Sequence, residues 1–291
     1  MNVNKYLSNF QTLNNKTFLI TGASGGIGKY IVKHLASMHA HIICANRSET
    51  KTLDLKNEIL NTQPDAKIDF IPLDLCNTES VKNFILKVKT LKLDYFFHNA
   101  GIYNVKRQTT DLGFDNIYQT NCLMPFYITK NLLENFKTNN TKLLYMGSIA
   151  YDYSKINKDD IQFLHCKKIN HIYGNSKRVA MFAMAELMKQ ISDVKFSIVH
   201  PGLTLTNMTN HYPKAINWLV KIGLKIVCPP PKKASLPVIY ATTHHTNYGE
   251  WIGPKIFNIW GAPKIKKFKM PSAESELAYA TLLKQTENIQ L

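Results

Sequence analysis

The chain has 291 residues, 45% of them apolar and 11% aromatic, enough for a sizeable buried core in one large domain or two small ones. Its start, "MNVNKYLSNFQTLNN", lacks the apolar stretch of a signal peptide, and no apolar run approaches the roughly 18 residues of a membrane span, so a cytoplasmic location is expected. The five cysteines form no CxxC pair and the ten histidines show no ligand spacing, which argues against a disulfide framework or a metal site. The formal charge of +16 is spread along the chain, so a diffuse basic surface is expected rather than a nucleic-acid partner.

In chain order, "TFLIT" reads as a first strand. A glycine cluster, "TGASGGIG", follows it and leads into a helix-spaced segment, "GKYIVKHLASM". "HIICA", "KIDFIPL", "LDYFFHN", "KLLYMGS" and "VKFSIVH" read as further strands, with a late "KIFNI". The intervals between them carry apolar residues three and four apart, as Val179, Phe182, Ala183 and Leu187 do in "YGNSKRVAMFAMAELMKQI". Regular alternation of strand and helix implies right-handed βαβ units and a parallel sheet covered on both faces. No repeat or linker divides the chain, so one domain over 1–291 is expected. The segment 203–235, with "AINWLVKIGLKIV" before Pro229, breaks the pattern at the carboxyl edge of the sheet. It reads as a substrate lid, a basic amphipathic helix touching an anionic membrane surface, or a core helix.

A glycine cluster between strand and helix is a place where a ligand must approach the backbone. Gly22 permits the tight turn, Gly26 the approach of a pyrophosphate and Gly28 close packing of helix on strand, with Ser24, Gly25 and Ile27 completing the cradle. The second strand ends "CANRS", where proteins that prefer NAD(H) place an acid for the ribose 2′-hydroxyl. Arg47, with Ser48 as a further donor, suits a 2′-phosphate instead, so NADP(H) is favoured over NAD(H).

The GxxxGxG spacing resembles that of the short-chain dehydrogenase/reductase family, and further motifs resemble it in the same order. "HNAG" matches the family's NAG motif with Asn99, Ala100 and Gly101; "PLDL", with Asp74 and Leu75, matches its adenine-side aspartate; Asn121, Ser148, Tyr173 and Lys177 match its catalytic tetrad. "HPGLTLT" matches its PGxxxT stretch, which implies that Pro201, Gly202, Thr204 and Thr206 contact the nicotinamide end. The spacing YxxxK occurs twice. Tyr173 with Lys177 opens an apolar-periodic helix, whereas Tyr151 with Lys155 precedes polar residues. Tyr173 is therefore expected as the acid/base and Tyr151 as a substrate-pocket or loop tyrosine. On a helix, residues four apart share a face, and the lysine charge is expected to pull the tyrosine pKa down from ~10.

The resemblance implies a Rossmann-type doubly wound α/β fold of about seven strands in the order 3-2-1-4-5-6-7. It also implies an NADP-dependent oxidoreductase interconverting a carbonyl and an alcohol. In that reaction Ser148 positions the oxygen, Tyr173 carries the proton, Lys177 tunes Tyr173 and Asn121 holds a water of a proton relay. "YGNSK" resembles the retinol dehydrogenase-like branch, and the tail resembles that branch and bacterial ketoreductases, departing where Leu283 replaces a tryptophan. A lipophilic small-molecule carbonyl or alcohol is the expected substrate, and a homodimer or homotetramer is open. Two other readings stand beside this one, a redox-silent NADP-binding sensor or interaction protein and a peripheral membrane lipid or retinoid dehydrogenase. The glycine spacing speaks against an epimerase, whose branch spaces them TGxxGxxG.

Overall fold

Period-two alternation along the strands sets the layers. Phe18, Ile20, Ile42, Cys44, Phe97 and Leu144 face one side of the sheet, while Leu19, Ile43, Phe96, Leu143 and Tyr145 face the other, and all are buried. Strands buried on both faces need helices on both, and each large side chain so removed from water contributes about 1.5–3 kcal/mol. The computed structural model describes residues 2–191, 193–203 and 228–291. The expected lid therefore lies largely outside the described residues, as do Thr204, Thr206, Trp218, Leu219, Lys221 and Lys225.

The strands are β1 (Thr17–Thr21), β2 (His41–Asn46), β3 (Lys67–Pro72), β4 (Tyr95–His98), β5 (Lys142–Met146), β6 (Phe196–Val199), β7 (Glu250–Ile256) and β8 (Trp260–Lys267). They form one sheet in the order β3-β2-β1-β4-β5-β6-β7-β8, parallel as far as β7. This is the expected Rossmann-type sheet with one addition, since β8 returns antiparallel on β7. "KIFNI" is not a strand of its own. Lys255 and Ile256 end β7, and Phe257 and Asn258, at φ 49° and 57°, form the turn into β8.

The helices are α1 (Val3–Leu7), α2 (Gly28–Ser37), α3 (Glu49–Leu60), α4 (Thr78–Lys89), α5 (Asn116–Tyr118), α6 (Met124–Thr138), α7 (Ile169–Gln190), α8 (Pro231–Ala234), α9 (Leu236–Thr243) and α10 (Ser272–Glu287). Helices α2, α3 and α9 pack on the Phe18 face; α4, α6, α7 and α10 pack on the Leu19 face. Side-chain caps fix several starts, with Ser48 accepting from Lys51 N at 3.3 Å and Asn77 from Ser80 N at 2.7 Å. The order reverses between β1 and β4, so the loops leaving their carboxyl ends part and open a crevice.

Candidate active site

The glycine loop leaves β1 at that crevice. Gly22 takes φ 65°, and a Cβ there would lie 2.8 Å from Ala100 Cα; at Gly28 it would lie 2.3 Å from Gly22 O. Neither position admits a side chain. At Gly25, by contrast, a Cβ would meet nothing within 4 Å, so the tip of the loop borders open space. Ile27 gives α2 no side-chain cap, although the Lys29 and Tyr30 amides donate to Gly25 O at 3.3 Å and Ile27 O at 3.0 Å.

Polar side chains brace this loop from both sides. Asn99 Nδ2 donates to Thr21 O at 2.9 Å and Gly22 O at 3.0 Å, and Thr21 Oγ1 accepts from the amides of Asn99 at 3.1 Å and Ala100 at 3.0 Å. Ser24 N donates to Asn46 Oδ1 at 3.3 Å while Asn46 Nδ2 donates to Thr52 Oγ1 at 2.9 Å. The buried Asn46 is thus engaged in holding the loop, and the exposed Arg47 is the residue that projects from the end of β2. Further along the edge, Asp74 Oδ1 accepts from Cys76 N at 2.9 Å, and Leu75 is buried with its carbonyl taken by Gln119 Nε2 at 3.1 Å.

At the other end of the crevice the structure brings Ser148, Tyr173, Lys177 and Asn121 together. Ser148 follows β5 and caps the 3-10 helix Ile149–Tyr153, its Oγ accepting from Ala150 N at 3.2 Å. A Cβ on Gly174 would lie 2.3 Å from Ala150 O, so only glycine lets the second turn of α7 come this close to that helix and bring Tyr173 to Ser148. Lys177, one turn on and buried, donates from Nζ to Met146 O at 3.0 Å. Its Nζ lies 6.0 Å from the Tyr173 ring centroid. Gly101 leaves room for it, since a Cβ there would stand 3.2 Å from Asn121 Oδ1 and 3.5 Å from Lys177 Nζ.

Asn121 sits in a π-helical turn, Gln119–Leu123, between α5 and α6. The extra residue per turn swings its side chain out of the helical ladder, a distortion frequent at functional sites. The side chain is fully satisfied. Oδ1 accepts from Ile102 N at 2.8 Å, and Nδ2 donates to Ile102 O at 2.9 Å and Ser176 Oγ at 3.0 Å. Ser176 Oγ in turn donates to Tyr173 O at 2.8 Å.

The electrostatics correct one expectation. Burial pushes the Tyr173 phenol up to about 12, with the Ser148 hydrogen bond pulling the other way, and burial pushes the Lys177 ammonium down to about 8. The lysine is itself desolvated and turned to a carbonyl, and burial, not the YxxxK lysine, sets the direction of the tyrosine shift in the free site. Tyr173 is therefore a phenol at neutral pH.

Tyr151, expected as a substrate-pocket or loop tyrosine, is 6% exposed and among the described residues packs edge-on against Trp251 and Phe268, its hydroxyl accepting from Lys269 N at 3.2 Å. Its spacing partner Lys155 is exposed. Pro201 and Gly202 close the crevice after β6, Gly202 at φ 84° with room for a Cβ only 3.0 Å from Ile259 O. Sequence reasoning missed Gly174, whose role needs the neighbouring helix to be seen, and Tyr145, whose place in an apolar strand reads as core. The adjacent His244 and His245 are accounted for locally: His244 stacks on Tyr240, and His245 Nδ1 lies 3.0 Å from the buried Lys142 Nζ.

Comparison with known proteins gives the same picture. Residues 16–217 match the family model for short chain dehydrogenases. The chain is 26% identical over 220 residues to human polyprenol dehydrogenase, covering 72% of this chain and 66% of that protein. It is 31% identical over 251 residues to an uncharacterized oxidoreductase of Schizosaccharomyces pombe, covering 79% of this chain and 73% of the relative. An uncharacterized protein from Mycobacterium paratuberculosis, of known structure, superposes with a TM-score of 0.74 over 98% of both chains at 20% identity.

Proposed function

Because the chain belongs to the short-chain dehydrogenase family, we propose that it is an NADP(H)-dependent oxidoreductase that interconverts an apolar carbonyl compound and its alcohol. The observation that carries this reading is the meeting of the Ser148 and Tyr173 hydroxyls with the buried Lys177 ammonium, at the crevice that the glycine loop borders. The loop suits a dinucleotide, since it offers glycines where a Cβ would collide, open space at Gly25 and a helix start with no side chain over it.

When bound, the nicotinamide supplies the hydride. The protein's part is to hold the oxygen and move a proton. Ser148 Oγ, oriented by Ala150 N, keeps its own hydrogen to donate to the substrate oxygen. Tyr173, protonated at neutral pH, gives that oxygen its proton as negative charge develops there. Lys177 stabilises the phenolate left behind, and in the free site its ammonium rests on Met146 O, a contact it can exchange for a ribose hydroxyl. Asn121 fixes the backbone at Ile102 and, through Ser176, the second turn of α7.

The preference for NADP(H) rests on Arg47, a cation where a ribose acid would stand, beside an Asn46 already committed to the loop. The apolar character of the substrate is supported by the likeness to a polyprenol dehydrogenase. The test is loss of reduced-nicotinamide absorbance with NADPH and with NADH against a panel of aldehydes, ketones, retinoids and polyprenals. Turnover that needs NADPH and disappears in Tyr173→Phe is expected. Tight NADPH binding without turnover on any carbonyl, or turnover that survives the substitution, would sink the reading.

A further inference from the structure

The hairpin joining β7 to β8 has a tip that folding alone does not explain. Phe257 is 81% exposed and takes φ 49°, a left-handed conformation that bulky side chains adopt at a steric cost and that Asn or Gly adopts freely. A large apolar side chain there loses twice, to strain and to water. Ile256 beside it is 49% exposed, and Trp260 across the turn is 37% exposed. The tip is nevertheless held firmly. Ile259 N donates to Ile256 O at 2.9 Å, and Lys266 Nζ donates to Asn258 Oδ1 at 2.7 Å. A braced turn that presents Ile256 and Phe257 to solvent is a built feature and not a frayed end.

The charges nearest it share one sign: Lys255 adjoins the tip on β7, Lys264 stands opposite Gly253 and Lys266 reaches Asn258, whereas Lys267, opposite Glu250, lies at the far end of the hairpin. Because β7 runs parallel to β6, the tip lies at the carboxyl edge of the sheet, on the same side as the crevice. There Asn258 O lies 3.0 Å from His200 Nε2, and Gly202 packs under Ile259. Leu203, 36% exposed, extends the apolar surface toward the crevice.

We propose that the β7–β8 hairpin is a membrane-docking element, in which Ile256 and Phe257 insert into the interface of an anionic phospholipid surface while the flanking lysines bind its headgroups. Apolar side chains at a tip with a basic surround match the two-part attraction of interfacial segments, burial of apolar area together with charge. The same surface suits other partners less well. The lysine row along the exposed edge of β8 repels strand pairing with a second copy. A nucleic acid would find lysines and the Phe257 and Trp260 rings here but no arginine, so its binding is one of the outcomes the test separates. Docking at this tip places the crevice mouth next to the bilayer, the source of an apolar substrate. That last step rests on the proposed oxidoreductase reading, whereas the docking does not.

The test is co-sedimentation of the full chain, without cofactor or substrate, with vesicles of phosphatidylcholine alone and of phosphatidylcholine with a third phosphatidylserine. The parent is expected to bind only the anionic vesicles. Phe257→Asn, which relieves the left-handed strain and so folds at least as well, should lower the vesicle partition coefficient on the order of tenfold. Lys255→Glu with Lys264→Glu should lower it at least as much. Turnover of a water-soluble carbonyl should stay unchanged in both variants, so a protein that docks without turnover, or turns over without docking, separates the two readings. Absence of binding by the parent, full binding by Phe257→Asn, or displacement of the vesicles by a duplex oligonucleotide would overturn the proposal.

Discussion

The Tyr145 hydroxyl donates to the backbone carbonyl of Asn121 at 2.8 Å, and its ring lies under Lys177, with Nζ 5.2 Å from the centroid. One buried side chain on β5 therefore ties the π-turn to the lysine of α7. Pro125, four residues on, has no N–H to donate to that carbonyl, and a buried acceptor left without a donor costs about 1–3 kcal/mol. Tyr145→Phe is expected to lower thermal stability by about 1–2 kcal/mol. A positioning role predicts in addition a fall in kcat of a few fold with KM for NADPH nearly unchanged. A loss of stability with intact kcat would confine Tyr145 to packing.

The two YxxxK tyrosines should separate by phenotype. Tyr173→Phe removes the proton donor from a site that otherwise stays built, so turnover should fall by at least about 100-fold while NADPH binding persists. Tyr151→Phe leaves the ring among Trp251 and Phe268 and removes only the acceptor for Lys269 N. It should keep turnover within a few fold and lower stability by about 1 kcal/mol. Steady-state kinetics and thermal melts of both variants decide between them, and equal loss of turnover would contradict the assignment.

The glycines offer a similar separation. At Gly25 a methyl group meets no protein atom within 4 Å, so Gly25→Ala should fold with parental stability yet bind NADPH several-fold more weakly, because the methyl occupies the space the pyrophosphate needs. At Gly174 the same methyl would stand 2.3 Å from Ala150 O, so Gly174→Ala must push α7 off the 3-10 helix and carry Tyr173 away from Ser148. It should lose stability and kcat together, with nucleotide affinity affected least. Isothermal titration with NADPH alongside kcat would tell the two apart.

These cases also mark what the sequence made legible. The alternating strands, the glycine loop and the order of the site motifs could be read because each is a local pattern with a fixed period or spacing. Strand β8 could not, since "WGAPKIKK" carries Gly and Pro, which weaken a strand signal, and its pairing is set by the turn at Phe257 and Asn258. The π-turn at Asn121 has no signature beyond an asparagine in a helical pattern. The burial of Tyr151 depends on Phe268 and Trp251, more than ninety residues away in the chain on the count of their numbers, and polar neighbours disguise it.

Arg47 tests the cofactor preference. It projects from the end of β2 with Asn46 fixed behind it, so Arg47→Glu replaces attraction for a 2′-phosphate by repulsion and offers an acceptor to a 2′-hydroxyl. The ratio of kcat/KM for NADPH to that for NADH should fall by about 100-fold or more, corresponding to roughly 3 kcal/mol. A ratio unchanged by the substitution would remove Arg47 from the ribose site.

The residue after Lys177, turned about 100° around the helix, anchors a neighbouring face of α7. Arg178 makes a two-pronged pair with Glu274 of α10, Nε to Oε2 at 2.7 Å and Nη2 to Oε1 at 2.9 Å, and donates from Nη1 to Tyr151 O at 3.1 Å. The Arg178 hydrogen bonds hold the Glu274 carboxyl below its ordinary value of 4.5, with Ile156 N adding a further donor. A carboxyl whose folded value is depressed contributes stability that is fully present above its unfolded value, because the unfolded chain binds the proton more readily. That contribution is lost as pH falls below about 4.5 and through the lower folded value. The parent should therefore lose melting temperature across this acid window. Glu274→Gln, already lacking the charge, should start about 2 kcal/mol less stable at neutral pH and show a flatter acid limb. Parallel acid limbs for the two proteins would mean that the pair does not set the acid stability of α7.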